Sequence, residues 1–147
     1  MTPKLFPLNK SIIFLIYRAH TQGVTALRKD LLAAGFDLTP EQWAIMAHLQ
    51  KTAGMSQAQL GEKSLKDRHN INRIINILDE RGYVKREPDE DDKRAYRLFL
   101  TPSGTETLRK STPIFLNHVE KRFNGISAAD LAVLRRILEQ TIKNIEK

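Results

Sequence analysis

Between Lys63 and Arg73 the chain sets four bases, Lys63, Lys66, Arg68 and Arg73, against one acid, Asp67, with His69, Asn70 and Asn72 among them. Guanidinium and ammonium groups bind phosphate, and an Asn amide pairs bidentately with the N6/N7 edge of adenine. The mixture therefore suits a polyanion that also presents hydrogen-bonding edges. A second basic pair, Lys93 and Arg94, follows the acids of Glu87 to Asp92. Each group also has a plainer use: Arg68 and Arg73 can pair with Asp67 or Asp79, and Lys93 and Arg94 can pair with the acids of their own turn.

Other chemistries find less support. His20, His48, His69 and His118 are scattered, with no His-x-x-His or Glu-x-x-His pair, so no metal site is expected. There is no cysteine, which removes disulfide, thiol and thiolate-ligand chemistry. No nucleophile elbow or phosphate-binding loop occurs. The expectation is a chain that is not an enzyme and carries no cofactor. Trp43, Tyr17 and Met46 fit a core better than a ligand cage.

The elements that must carry these residues are legible from caps and periodicity. Ile71, Ile74, Ile75 and Leu78 fall at i, i+3, i+4 and i+7, an apolar stripe that predicts a helix from about Asp67 to Arg81 with Gly82 as its stop. At 100° per residue its opposite face is His69, Asn72, Arg73 and Asn76, flanked by Asn70. A solvated face more often mixes Glu with Lys. Ahead of it, Ser56 to Gln59 is a capping box opening a short helix with Ala58 and Leu60 inward, and the turn lies between Ser64 and Asp67. Behind it, Tyr83 to Arg86 and Arg94 to Leu100 read as strands around an acidic turn, Glu87 to Lys93, whose proline disfavours a strand. That succession is a helix-turn-helix with a β-hairpin wing.

Helices flank the segment. Apolar residues from Ile12 to Leu31 predict one from about Leu8 to Ala34, after an extended Met1 to Pro7 arm; at roughly 37 Å it is too long for one small domain to cover. Thr39-Pro40-Glu41-Gln42 opens another, carrying Trp43, Ile45, Met46 and Leu49. Thr101-Pro102 starts a helix that Pro113 is placed to kink, and Ser127 caps the last, with a seam of Leu131, Leu134, Leu138, Thr141 and Ile145 suited to a second helix. A length of 147 residues fits one domain, and the net charge of +7 favours a polyanionic partner. The run from Ser11 to Ile16 is too short to span a bilayer, so a cytoplasmic protein without a membrane partner is expected.

In this order of motifs the chain resembles the MarR family of bacterial transcription regulators. Leu38-Thr39-Pro40-Glu41-Gln42-Trp43 resembles the family's Leu-Thr-x-x-Gln-Trp, and Ser56-Gln57-Ala58-Gln59-Leu60 its Thr-Gln-x-Glu-Leu. Asn72-Arg73 through Leu78, then Gly82-Tyr83-Val84, is similar to Thr-Arg, Leu and Gly-Leu-Val. Asp89 to Arg94, then Leu100-Thr101 and Gly104, resembles the wing signature. The chain departs from the family at Lys93, in place of a first wing arginine, at Gly61, in place of alanine, and at His69, Asn70 and Asn72, in place of small hydroxyl residues. The last departure falls on base-facing positions.

The resemblance implies a mainly α fold with a small β-hairpin wing, that is, a winged helix-turn-helix at 38–104 flanked by dimerisation helices at 8–34 and 105–147. It implies a homodimeric, sequence-specific DNA-binding regulator, a ligand-responsive repressor in the leading reading, on a pseudo-palindromic double-stranded operator. The expected DNA contacts are Lys66, Arg68, His69, Asn70, Asn72, Arg73, Asn76, Lys93 and Arg94, with Asp92 orienting the wing arginine. A small-molecule effector would lie near Tyr17, Arg18, His20 and Trp43. The alternative is a winged-helix module that binds protein and reads no DNA.

Overall fold

Ser11 opens the first helix. Its hydroxyl accepts the Phe14 backbone N–H at 3.3 Å, and α1 runs Ile12–Ala33 in this computed structural model, which describes Pro7 and residues 10–146. The helix therefore starts later than the expected Leu8, while Leu8 itself and all of the expected extended arm except Pro7 lie outside the described residues. Gly35 ends α1 at φ +88°, where the Phe36 N–H reaches back to the Leu31 carbonyl and the Gly35 N–H to that of Leu32. This left-handed stop folds the chain back toward α2 (Pro40–Lys51), whose Thr39/Gln42 capping box is fully formed.

Three short pieces follow: β1 (Met55–Ser56), α3 (Gln57–Lys63) capped by Ser56, and α4 (Arg68–Glu80). Asp67 is the cap of α4, and Ser64 instead closes α3. Within α3 Leu60 points inward as expected. Ala58 is exposed, and Gly61 takes the buried position beside Ile71, where an added Cβ would stand 3.1 Å from the Lys66 carbonyl oxygen. Ile71, Ile74, Ile75 and Leu78 are all buried against Ile45, Met46 and Leu49 of α2, Leu60 of α3 and Leu98 of the sheet. At roughly 1.5–3 kcal/mol for each fully buried aliphatic side chain, the stripe fixes which face of α4 is left outward.

The sheet has three antiparallel strands in the order β1-β3-β2, with β2 at Val84–Pro88 and β3 at Tyr96–Leu100. Met55 pairs with Leu98, and Val84 with Leu100, so the wing is stitched to the entrance of the helix-turn-helix as well as to its exit. Three sequence expectations need correction. The hairpin gains a third strand, and β2 continues through Glu87 and Pro88. The proline is tolerated because β2 is an edge strand and Pro88 is its last residue. Conversely, Arg94 and Ala95 belong to the tip and β3 begins at Tyr96.

Two long helices complete the described chain: α5 (Pro102–Arg122) and α6 (Ala128–Ile145). α5 continues through Pro113, which sits on its exposed side. Its start is pressed onto the sheet, with the Thr101 N–H bonded to the Tyr83 carbonyl at 3.0 Å. α6 has no buried residue. Of the expected seam, Leu131 and Leu138 are half-buried and Leu134, Thr141 and Ile145 are exposed.

Candidate nucleic-acid interface

Asp67 sets where the outward face of α4 begins. Its carboxylate accepts the Asn70 backbone N–H at 2.8 Å and the Asn70 side-chain Nδ2–H at 3.0 Å. The backbone bond from Asn70, the largest influence, holds the Asp67 carboxyl below the usual aspartate range. Arg68, the first helical residue, projects from this end, where the unpaired N–H groups and the helix dipole favour an anion. At the other end Gly82, at φ +75°, turns the chain into β2, with the Tyr83 N–H on the Leu78 carbonyl.

The wing tip disposes of its acids locally. Asp89 Oδ1 accepts the backbone N–H groups of Asp91 and Asp92, at 2.9 and 3.4 Å, and Asp92 Oδ1 accepts that of Arg94 at 3.0 Å. Asp92 thus shapes the turn through the Arg94 backbone N–H. Lys93 and Arg94 are exposed at the tip. A concavity of about 560 Å³ between α3, α4 and the wing is lined by Gln57, Lys66, Arg68, Arg94 and Tyr96, among others. Bases from the turn before α4, from its first residue and from the wing tip therefore converge on one hollow.

The remaining expected contacts fall into two groups. Arg68 and His69 are exposed. The others are engaged within the protein. Lys66 Nζ lies 2.7 Å from Glu41 Oε1, Arg73 Nη2 lies 3.9 Å from Glu41 Oε2, and Asn70 is tied to Asp67. Asn72 Oδ1 accepts from Gln57 Nε2 at 3.3 Å, which leaves its own amide N–H groups for another partner. Asn76 Oδ1 accepts from Arg86 Nη2 at 2.5 Å, while Arg86 Nη1 is 2.7 Å from Asp79 Oδ2. Arg86 fastens the root of the wing to α4, and Asn76 takes part in that fastening. Glu41, Gln57 and Arg86 were not singled out in the sequence, because each matters through partners 10 or more residues away, apart from Arg86 with Asp79.

The residues expected near an effector are not brought together. His20 lines a groove of about 770 Å³ between α1, the end of α5 and α6, with Asp30, His118, Lys121 and Leu134 on its walls. Tyr17 and Arg18 are exposed on α1 and do not line it. Trp43 is stacked on Phe115 at 4.2 Å, and its indole N–H donates to Ser111 Oγ at 3.0 Å, a packing role at the edge of the core. His118 is the better-placed histidine in the groove: Nδ1 is 3.2 Å from Asp30 Oδ2, and Nε2 is buried without a partner among the described residues. Among those residues no His, Asp and Glu cluster could hold a metal ion, and no helix is long and apolar enough to cross a membrane.

A model described as the MarR family matches residues 36–95, from the α1–α2 junction to the wing tip. Transcriptional regulator HosA of Escherichia coli O127:H6 is 31% identical over 94 residues, which cover 64% of this chain and 69% of HosA. The chain belongs to the MarR family. Another relative, the HTH-type transcriptional regulator YkoM of Bacillus subtilis, is 30% identical over 67% of this chain, and the match spans 63% of YkoM. A crystal structure of a probable transcriptional regulator from Pseudomonas aeruginosa shares the fold at TM-score 0.84 and 27% identity, covering 91% of this chain and 98% of that one. At 20% identity, a likeness of fold alone, a mutant MarR from E. coli complexed with operator DNA superposes at TM-score 0.83 over 93% of this chain and 99% of its own. In this MarR-family chain the winged region carries the family match, and the sheet and six helices of the described residues share the fold of the Pseudomonas aeruginosa structure.

Proposed function

We propose that the chain is a homodimeric, sequence-specific DNA-binding transcriptional repressor, released from its operator by a small-molecule effector and working in the cytoplasm, with no catalytic activity of its own. The observation that carries this reading is the hollow between α4 and the wing, where Arg68 and Arg94 converge in front of a helix whose opposite face is locked into the core. A helix is the right width for the major groove, and a wing-tip arginine suits a narrow minor groove or the phosphates beside it. Residues 38–104 are the reading unit. In it Arg68, His69 and the amide N–H groups of Asn72 face the bases, while Lys93 and Arg94 hold the backbone. Lys66, Asn70, Arg73 and Asn76 lie on the same face, with Asp92 shaping the tip.

Residues 8–34 and 105–147 join two copies. Support comes from Ile12, Ile13, Leu15 and Ile16 on α1 and Val133, Leu134, Ile137 and Ile142 on α6, all exposed within one chain. Two reading units so joined address half-sites about one helical turn apart. The groove that holds His20 is the place for an effector, which would act by favouring one spacing of the two α4 helices over another.

The experiment is a mobility-shift titration of the full chain against duplex DNA from its own upstream region, repeated across salt. Binding that weakens steeply with salt and exceeds that to unrelated duplex supports the reading. No binding to that region at any salt overturns it.

A further inference from the structure

Glu41 is the second residue of α2, and its backbone position is fixed by the capping box immediately around it. From there its two carboxylate oxygens meet two bases of the helix-turn-helix: Oε1 the Lys66 ammonium at 2.7 Å and Oε2 the Arg73 guanidinium at 3.9 Å. The Lys66 side chain is only 26% exposed and also lines the hollow that holds Arg68 and Arg94. Glu41 does not line that hollow. A partly covered ion pair is screened less by salt than one in open solvent, so a phosphate approaching Lys66 has to displace a carboxylate already in contact.

We propose that Glu41 is an internal counter-charge for the helix-turn-helix, holding Lys66 and Arg73 away from the DNA backbone and so limiting phosphate affinity. The inference rests on the DNA-binding reading above and deepens it. Sequence discrimination is a ratio of specific to non-specific binding, and phosphate contacts raise both. A carboxylate that neutralises two backbone-reaching bases restrains the non-specific term and leaves Arg68, His69 and Asn72 to supply selectivity. Glu41 is thereby a positioning residue that need not touch DNA itself.

The test compares wild-type protein with Glu41→Gln and Glu41→Ser, each as the full chain, by fluorescence anisotropy with a labelled duplex of mixed sequence over a potassium chloride series. Both variants remove the charge and differ in size, and thermal melts establish which are folded. The expected result is several-fold tighter binding at low salt, with the slope of log K against log salt steeper by about 1–2, since each phosphate newly neutralised by Lys66 or Arg73 contributes about 0.9. A merely structural role lowers the melting temperature and weakens binding without steepening the slope. That result, or unchanged binding in the folded variants, overturns the proposal. Wild-type protein that binds no duplex at any salt overturns the DNA-binding reading first, and this proposal with it.

Discussion

Asp37 lies between two arginines from different parts of the fold: Oδ1 is 2.7 Å from Arg28 Nη2 on α1, and Oδ2 is 3.5 Å from Arg81 Nη2 at the end of α4. Arg81 Nη1 also donates to the Asp37 backbone carbonyl. The Arg28 hydrogen bond, then the charge of Arg81, hold the Asp37 carboxyl below the usual aspartate range. A carboxyl lowered on folding contributes stability above its unfolded pKa and loses it as pH falls through the folded value. Asp37→Asn should therefore melt below wild type at neutral pH, with the gap closing as pH drops below about 4. Thermal melts over a pH series check this, and a gap that stays constant would show that charge is not the cause.

On the proposed reading, substitutions at Arg94 and Asn72 separate backbone holding from base reading. Arg94→Ala should weaken binding to most duplexes together and flatten the salt dependence by about one phosphate. Asn72→Ala should instead change the preferred sequence, with a loss of about 1–3 kcal/mol confined to one base position. Binding to a panel of single-base operator variants distinguishes the two, and an Asn72→Ala profile that is uniform across the panel would reassign that residue to the backbone.

Gly104 has no room for a methyl group. A Cβ there would stand 2.1 Å from the Tyr83 carbonyl oxygen, which already accepts the Thr101 N–H. Gly104→Ala forces α5 away from the sheet and should destabilise the protein by about 1–3 kcal/mol, as overpacking does. Urea denaturation at fixed protein concentration measures the shift.

Leu65 invites the opposite change. It closes α3 at φ +56°, the one non-glycine among the described residues with positive φ, and it is 93% exposed. The Leu65 N–H bonds to the Glu62 carbonyl and that of Lys66 to Gly61, the same closure that Gly35 and Gly82 make elsewhere. Leu65→Gly relieves the left-handed strain at the expense of a more flexible unfolded chain, for a net gain of about 0.5–1 kcal/mol. Equilibrium denaturation should show a higher midpoint with an unchanged slope.

What could be seen in the sequence was local. Thr39 with Gln42, Ser56 with Gln59, Thr101 and Ser127 announce helix starts because their bonds close within three residues, and Gly35 and Gly82 announce stops for the same reason. The Ile71 to Leu78 stripe fixed the orientation of α4 in advance. The rest depends on encounters over distance. Met55–Ser56 becomes a strand only because Leu98 and Arg97 come to lie beside it. Glu41 meets Lys66, and Arg86 meets Asn76, through folding back of the chain. Composition marked bases as available that the fold had already given partners.

The bare surface of α6 has a consequence for how stability is measured. In the proposed dimer a second copy covers its exposed apolar residues, the folded state is reached by a bimolecular step, and mass action ties its population to the amount of protein present. The melting temperature should climb with concentration, and dilution alone should loosen α6 before it reaches the core around Ile75. Under that proposal the cell's supply of the chain regulates how much of it is folded as well as how much of it meets an operator.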